Sequence, residues 1–427
     1  MKISNQPPKG FYDWDSQEFL IRKYIFDTWR NVCLKFGYDE YLTPLLEYSK
    51  IYKAKSGEDV GGKELIVIKD KANRELSIRP EMTPSVTRFV TKIYNDSNKP
   101  IRLFSIANFI RNEKPQKGRN REFWQLNFDV FGSSSFYVDS EIVQIAIEIL
   151  RAFGAPNNSF KVRLNHRKLI ENILVDQIGI DASNLKLVTR VLDKAQKIEA
   201  KELKNNLKNL NLNSKQINLI LKFINAHTLT ELKKDFKNLS DLEGFKELQN
   251  IISFLDSLGY GKFIEFSSSV IRGFDYYDGL VFEVFDTHPS NKRSLFGGGR
   301  YNGLASIFGY KDIPAVGCAP GDETTRIFLQ NWNLLPNNND IKKIYVPMLE
   351  GVEANRAFLL AQELRNEGRI AVVGVDVQSI SKALKFANKA NFDYIAIYSS
   401  IEAQKNSYSL KDLRTGEQIE VNLENKF

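Results

Sequence analysis

The sequence predicts an α+β protein in two parts: a strand-rich part interrupted by a block of helices, then a smaller tail in which strands and helices alternate. Three observations predict it. Residues 101–132 contain two extended runs, IRLFSIANFIR and EFWQLNFDVFG, on either side of NEKPQKGRNR, whose Pro, Gly and four basic residues mark a long hairpin loop. Residues 167–258 are helical in period and rich in Leu, Lys and Asn, unlike the strands around them. Beyond PNNND, strand-like IKKIYVPML, RIAVVGV and FDYIAIY alternate with helical stretches at 352–366 and 378–390. At 427 residues the chain exceeds what one hydrophobic core supports. The boundaries follow the composition: 1–165, a helical insertion at 166–260, a second strand-rich segment at 261–330, a linker at 331–340 and the tail at 341–427.

In chain order, Asp15-Ser16-Gln17-Glu18 has the form of a capping box, Ile21, Ile25, Val32 and Phe36 recur at helical spacing, and Gly37 stops the helix. A strand-like YDEYLTPLLE follows. Thr83-Pro84 reads as an N-cap with proline at the first helical position, ahead of an apolar face of Val86, Phe89, Val90 and Ile93. On EFWQLNFDVFG, Trp124, Leu126, Phe128 and Val130 alternate with Gln125, Asn127 and Asp129, so three polar side chains share one face. Later strands include IRGFDYYDGLVFEV (271–284), where an Arg, an Asp and two adjacent Tyr interrupt an apolar run.

Composition narrows the function. No apolar stretch approaches the roughly 20 residues of a membrane span, and the N-terminus lacks a signal-peptide core, which predicts a cytoplasmic protein without membrane contact. Two cysteines, Cys33 and Cys318, exclude a disulfide scaffold, and three scattered histidines make a His-rich metal site unexpected. The net charge is +8, and residues 185–240 carry 12 Lys or Arg against 5 acids. That excess suits either a solvated helical face or a footprint for a polyanion.

Five stretches together resemble the histidyl-tRNA synthetase family of class II aminoacyl-tRNA synthetases: SIRPEMTPSVTRFV, FIRNEKPQKGRNREFWQLNFDVFG, VIRGFDYYDGLVFEV, FGGGRYNGL with PAVGCAPG, and ALKFANKANFDYIAIY with YSLKDLRTGEQ. The resemblance implies an antiparallel-sheet catalytic domain carrying the helical insertion, a C-terminal α/β anticodon-binding domain and a homodimer. It implies activation of histidine by ATP, with Mg2+, to histidyl-adenylate, and transfer to the 3′ end of tRNA(His) in protein biosynthesis.

The same resemblance assigns residues. Arg111 and Arg272 match arginines that hold the reacting α-phosphate, where fixed cations stabilise developing charge. Glu81, Met82 and Thr83 match the segment that holds the amino group. Gln125, Asp129, Tyr276, Tyr277 and Tyr301 match the imidazole pocket, with Asp129 in place of a glutamate frequent in relatives. Glu113 and Arg121 match nucleotide contacts, and Glu283 is a candidate Mg2+ ligand. Gln116, Lys117 and Arg119 fall near the acceptor end of tRNA, glycines 297–299 permit close approach to nucleotide, and Glu402 takes an acidic position in the tail.

One departure stands out. Relatives commonly carry Gly-x-Glu-Arg where this chain has Gly321-Asp322-Glu323-Thr324; Arg326 lies two residues on, about 200° around a helix, facing away. A different class of reading is the regulatory paralogue that senses histidine alongside ATP phosphoribosyltransferase. It lacks the anticodon domain and usually the motif 2 arginines, both of which this chain has.

Overall fold

Helix α1 (Ser16–Lys35) starts where Asp15 accepts hydrogen bonds from the backbone N–H groups of Gln17 and Glu18, at 3.0 and 2.8 Å, and stops at Gly37 with φ +76°. Glu18 does not close the predicted capping box, because its carboxylate pairs instead with Arg22 and Arg326. The structure is a computed structural model and describes residues 3–423 except 58, 194, 196–197, 272–275, 292, 312 and 337–341.

After α1 come β1 (Asp39–Glu40), β2 (Leu46–Tyr48), α2 (Ser49–Lys55), β3 (Val67–Lys69) and β4 (Glu75–Ile78), of which β2, β4 and β3 form a small antiparallel sheet. Helix α3 (Thr83–Ile93) begins one residue before the predicted start. Met82 occupies the cap position with no side-chain bond there, so the Thr83 hydroxyl is not spent on capping.

The hairpin is β5 (Ile101–Ile110) with β6 (Glu122–Phe131), paired without a break from Ile101–Phe131 to Ile110–Glu122. The chain continues through α4 (Phe136–Ala152) and β7 (Phe160–His166). The inserted helices are α5 (Arg167–Glu171), α6 (Leu185–Asp193), α7 (Ala200–Lys208), α8 (Ser214–Ile224), α9 (Leu229–Asp235) and α10 (Glu243–Ser257). Then follow β8 (Ile264–Phe266), β9 (Leu280–Asp286), β10 (Ser294–Arg300), β11 (Ala315–Cys318) and α11 (Asp322–Asn331).

Eight strands make one sheet in the order β1-β5-β6-β11-β10-β9-β7-β8, antiparallel except at β1–β5 and β7–β8. The alternation on β6 decides which face is which. Leu126, Phe128 and Val130 enter the large core that includes Trp29 of α1 and Ile142 of α4. Gln125, Asn127 and Asp129 therefore face the opposite side. That side holds a smaller cluster with Met82, Val86, Phe131, Tyr276 and Tyr301.

Trp332, Leu334 and Leu335, within the stretch expected as linker, pack against the large core, and the first compact unit runs through residue 336. The rest of that stretch, 337–340, lies outside the described residues. The second unit is built from β12 (Lys343–Leu349), α12 (Ala354–Asn366), β13 (Ile370–Gln378), α13 (Ile380–Lys389), β14 (Tyr394–Ile397), α14 (Ser400–Gln404), β15 (Ser407–Asp412) and β16 (Gln418–Asn422). Its sheet runs β13-β12-β14-β15-β16, parallel through β14 and antiparallel beyond. Glu402 closes a capping box with Ser399 at the start of α14 and also accepts from Ser409 at 2.9 Å, so within this unit its carboxylate is bound to its own backbone and neighbours.

Buried ion pairs fasten helices to the main sheet. Arg300 of β10 meets Asp139 of α4 at 2.9 Å with both side chains 6% exposed, and donates to the Ser133 carbonyl as well. Burial pushes the Asp139 carboxyl up to about 6 in spite of the guanidinium. Asp139→Ala strands a buried cation and should cost about 3–5 kcal/mol in urea unfolding, whereas the double change Asp139→Leu with Arg300→Met recovers most of that loss. A single variant as stable as the double would mean that the pair is not a fastening.

Candidate active site

The unbroken pairing of β5 and β6 sets the site. It carries Arg111 to the end of one strand and Gln125, Asn127 and Asp129 to one face of the other. The Arg111 backbone N–H closes the hairpin by donating to the Arg121 carbonyl at 2.8 Å, and its Nε donates to the Pro80 carbonyl at 3.0 Å. The guanidinium lies 5.1 Å above the Phe123 ring, so its plane is fixed from two sides while Nη1 and Nη2 remain for a ligand.

A cavity of about 230 Å3 opens on this face. It gathers a subset of the residues singled out from the sequence: Glu81 and Thr83 from the start of α3, Arg111, Glu113 and Arg119 from the hairpin, Gln125 from β6, and Tyr276 and Tyr277 from the segment before β9. Gln125 is held by its Nε2 donating to the Ala319 carbonyl at 3.3 Å, while the Leu126 N–H donates to Pro320, which seats the approach to α11 against β6.

Two acids sit in this region under heavy desolvation. Tyr276 donates to Glu81 Oε2 at 2.9 Å, and burial pushes the Glu81 carboxyl up against the opposing effects of Ser56, Tyr276 and Arg111. Asp129, behind the wall, accepts from the Tyr301 hydroxyl at 2.5 Å, and burial carries it up to about 7. Both phenols are themselves pushed well above their usual range, first by burial and then by the adjacent carboxylates. The rings of Tyr276 and Tyr277 lie 4.9 Å apart and Tyr276 meets Tyr301 edge-on at 5.9 Å, so the two acid–phenol pairs are packed through their aromatic bodies.

Not every expected residue lines the cavity. Met82 is fully buried and its Sδ accepts from Thr43, so it supports the wall from within. Asp129 and Tyr301 lie one layer behind. Arg121 donates from Nε to the Glu113 carbonyl and holds the loop. Gln116 and Lys117 are in the hairpin loop outside the cavity, with Gln116 accepting from Arg293 at 2.9 Å. Glu283 pairs in register with Gly297, which does line the cavity, but is not itself in the lining. Arg272 lies outside the described residues.

Two features of the glycine run differ from expectation. A Cβ on Gly299 would sit 2.8 Å from the Tyr277 ring, and one on Gly298 would strike the Gly317 carbonyl. Their smallness therefore serves strand and ring packing, and among the three only Gly297 reaches the cavity. Residues the sequence did not single out also line it, including Phe123, Asn127 and Asp322. Asn127 was visible on the polar face of β6; Phe123 was not, since an aromatic in a strand reads as core.

The start of α11 contributes acids instead of an arginine. Asp322 and Glu323 line the cavity but are held by Arg22 at 2.9 and 2.7 Å, beneath the Trp14 ring. Asp322 also accepts from the Trp124 N–H at 3.0 Å, and burial pushes it up to about 6. Thr324 turns its hydroxyl to the Gly321 carbonyl. Arg326 lies on Glu18 and Glu323, away from the lining.

A family profile described as histidyl-tRNA synthetase matches residues 10–321. A protein named histidine–tRNA ligase from Leptospira biflexa is 37% identical over 424 residues, covering 98% of this chain and 95% of that one. The crystal structure of histidyl-tRNA synthetase from Nostoc sp. PCC 7120 superposes with a TM-score of 0.82 at 23% identity, covering 100% and 98% of the two chains. A Bacillus halodurans structure titled as an ATP phosphoribosyltransferase regulatory subunit/histidyl-tRNA synthetase gives 0.75 at 22% identity, covering 93% and 99%. The structural likenesses establish the fold.

The raised Asp129 carboxyl has a measurable sign. An acid whose folded pKa exceeds its ordinary value takes up a proton on folding, so its contribution is fully present below about pH 4 and lost as pH rises through about 7. Asp129→Asn removes that loss. The wild-type stability, relative to the variant in urea unfolding, should fall across this window; a flat difference would mean that the carboxyl titrates normally.

Proposed function

The chain belongs to the histidyl-tRNA synthetase family, and on that premise we propose how its residues divide the work of a histidine–tRNA ligase. The activity joins histidine to ATP as histidyl-adenylate and passes the acyl group to tRNA. One observation carries the division: an acid–phenol pair, an oriented arginine fork and a polar strand face converge on a single cavity.

The α-ammonium of histidine goes to Glu81. A carboxylate already stripped of water gains most from a cation that arrives bearing its own hydrogen bonds, with Tyr276 and Thr83 at its side. The imidazole lies toward Gln125, Tyr277 and the Asp129–Tyr301 pair. The histidine carboxylate attacks the α-phosphorus in line with departing pyrophosphate, and the charge growing on the phosphoryl oxygens is met by the free Nη groups of Arg111. The family resemblance gives Arg272 the role of a second cation toward that phosphorus. The Phe123 face suits a stacked purine, and Glu113 and Arg121 hold the nucleotide side.

In the second step the ribose hydroxyl of the terminal adenosine attacks the acyl carbonyl and AMP leaves. Gln116, Lys117 and Arg119 on the hairpin loop take the role of guiding that end, and the basic excess of residues 185–240 suits the phosphate backbone. Among the described residues no cluster of three or more His, Cys, Asp or Glu could hold a metal by itself. Mg2+ would enter as a companion of the ATP phosphates, with Glu283 the candidate protein carboxylate. A homodimer is supported by one face of the small sheet, where Leu46, Tyr48 and Ile68 are exposed together. No helix among the described residues is long and apolar enough to cross a membrane.

Histidine-dependent exchange of pyrophosphate into ATP tests this division. Arg272→Ala and Arg111→Ala should each lose on the order of 10²–10³ in rate, as removal of fixed donors at developing charge does. Arg326→Ala should leave the KM for ATP within about twofold, because its guanidinium is committed to partly exposed partners. Wild type that binds histidine but catalyses no exchange would favour the regulatory reading instead.

A further inference from the structure

One row of side chains, from just past β1 across β5 and β6, carries polar atoms that nothing among the described residues satisfies. Ser105 stands opposite Asn127 in the β5–β6 ladder. Tyr41 follows the parallel pair Glu40–Phe104 and donates its backbone N–H to the Phe104 carbonyl at 2.9 Å, which brings it level with Ser105. Residues level across paired strands share a face. The face is that of the cavity, since Tyr41 packs against the cluster of Met82, Tyr276 and Tyr301, and Asn127 lines the cavity directly.

Ser105 is fully buried and Asn127 is 3% exposed. The Tyr41 hydroxyl is buried although its ring, stacked on Phe89 at 5.9 Å, is partly exposed. Among the described residues the Tyr41 hydroxyl, the Ser105 hydroxyl and the Asn127 amide nitrogen have no hydrogen-bond partner. A single unmet group in a core is costly and uncommon. Three in one row, of which Asn127 lines the cavity, make a donor and acceptor surface for a buried polar ligand beside the Asp129–Tyr301 pair.

We propose that Asn127, continued by Ser105 and Tyr41, is a polar floor that recognises the imidazole of histidine; this rests on the assignment of the cavity to histidine. The Asn127 amide nitrogen only donates, so it takes the unprotonated ring nitrogen, leaving the ring N–H for the carboxylate side of the pocket. The two hydroxyls beside it in the row can each donate or accept, so a chain of hydrogen bonds toward the sheet edge closes only once the docked ring gives the amide its acceptor. A ring of the same size without nitrogens gives the Asn127 amide no acceptor and leaves the row unmet, which is how a pocket of this kind rejects an apolar isostere.

Tyr41→Phe and Ser105→Ala remove only the hydroxyls and test the floor without opening the wall. Each should weaken histidine roughly tenfold, read both as KM in pyrophosphate exchange and as Kd by calorimetry. The KM for ATP should be unchanged, and the unliganded variants should melt at or above the wild-type temperature, because an unmet buried group has been deleted. Histidine affinity equal to wild type, or a melting temperature that falls in step with affinity, overturns the floor while leaving the family assignment intact. Wild type without histidine-dependent exchange would overturn the histidine assignment and the floor together.

Discussion

The unbroken pairing of β5 with β6 is the constraint on which the rest depends. Each residue of one strand is opposite a fixed residue of the other, so a slip of one position would send Gln125, Asn127 and Asp129 into the hydrocarbon core and Leu126, Phe128 and Val130 into the cavity. The cost of burying three polar side chains against α1 and α4 rules that register out. With the register set, Arg111 arrives at the strand end beside Pro80, and the polar row lines up with Ser105 and Tyr41.

Around this hairpin the site is assembled from buried charge, and each charge is held by a partner from elsewhere in the chain. Arg22 reaches from α1 to both acids at the start of α11, Arg300 ties β10 to α4, and Tyr276 and Tyr301 cover Glu81 and Asp129. Such contacts contribute little net stability compared with apolar packing of the same volume. Their value is geometric, because a desolvated carboxylate tolerates very few positions for its donor. The acids at the α11 start are neutralised from behind by Arg22, so this end of the cavity differs electrostatically from one bearing an arginine at position 324.

Local signals in the sequence proved dependable where local physics decides the outcome. The Asp15 cap, the Gly37 stop, the alternation on β6 and the hairpin loop all concern neighbours within a few residues. Signals that depended on where a side chain would find its partner were less secure. Glu18 had the spacing of a capping box and went to two arginines, one of them some three hundred residues away. Thr83 had the chemistry of a cap and stands in the cavity wall. Glycines 298 and 299 suggested room for a ligand, and the room is taken by a neighbouring strand and a tyrosine ring.

By itself the sequence determined the family, the order of elements and some of the residues that meet in the cavity, because motif spacing and hydrophobic period are properties of a linear chain. Tertiary structure alone decided that Asp129 lies one layer behind the wall, that Arg326 is committed to Glu18 and Glu323, and that Tyr41, Ser105 and Asn127 stand in one row. The reason is that desolvation and hydrogen-bond satisfaction depend on which distant segments exclude water from a side chain. No pattern within a short window carries that information.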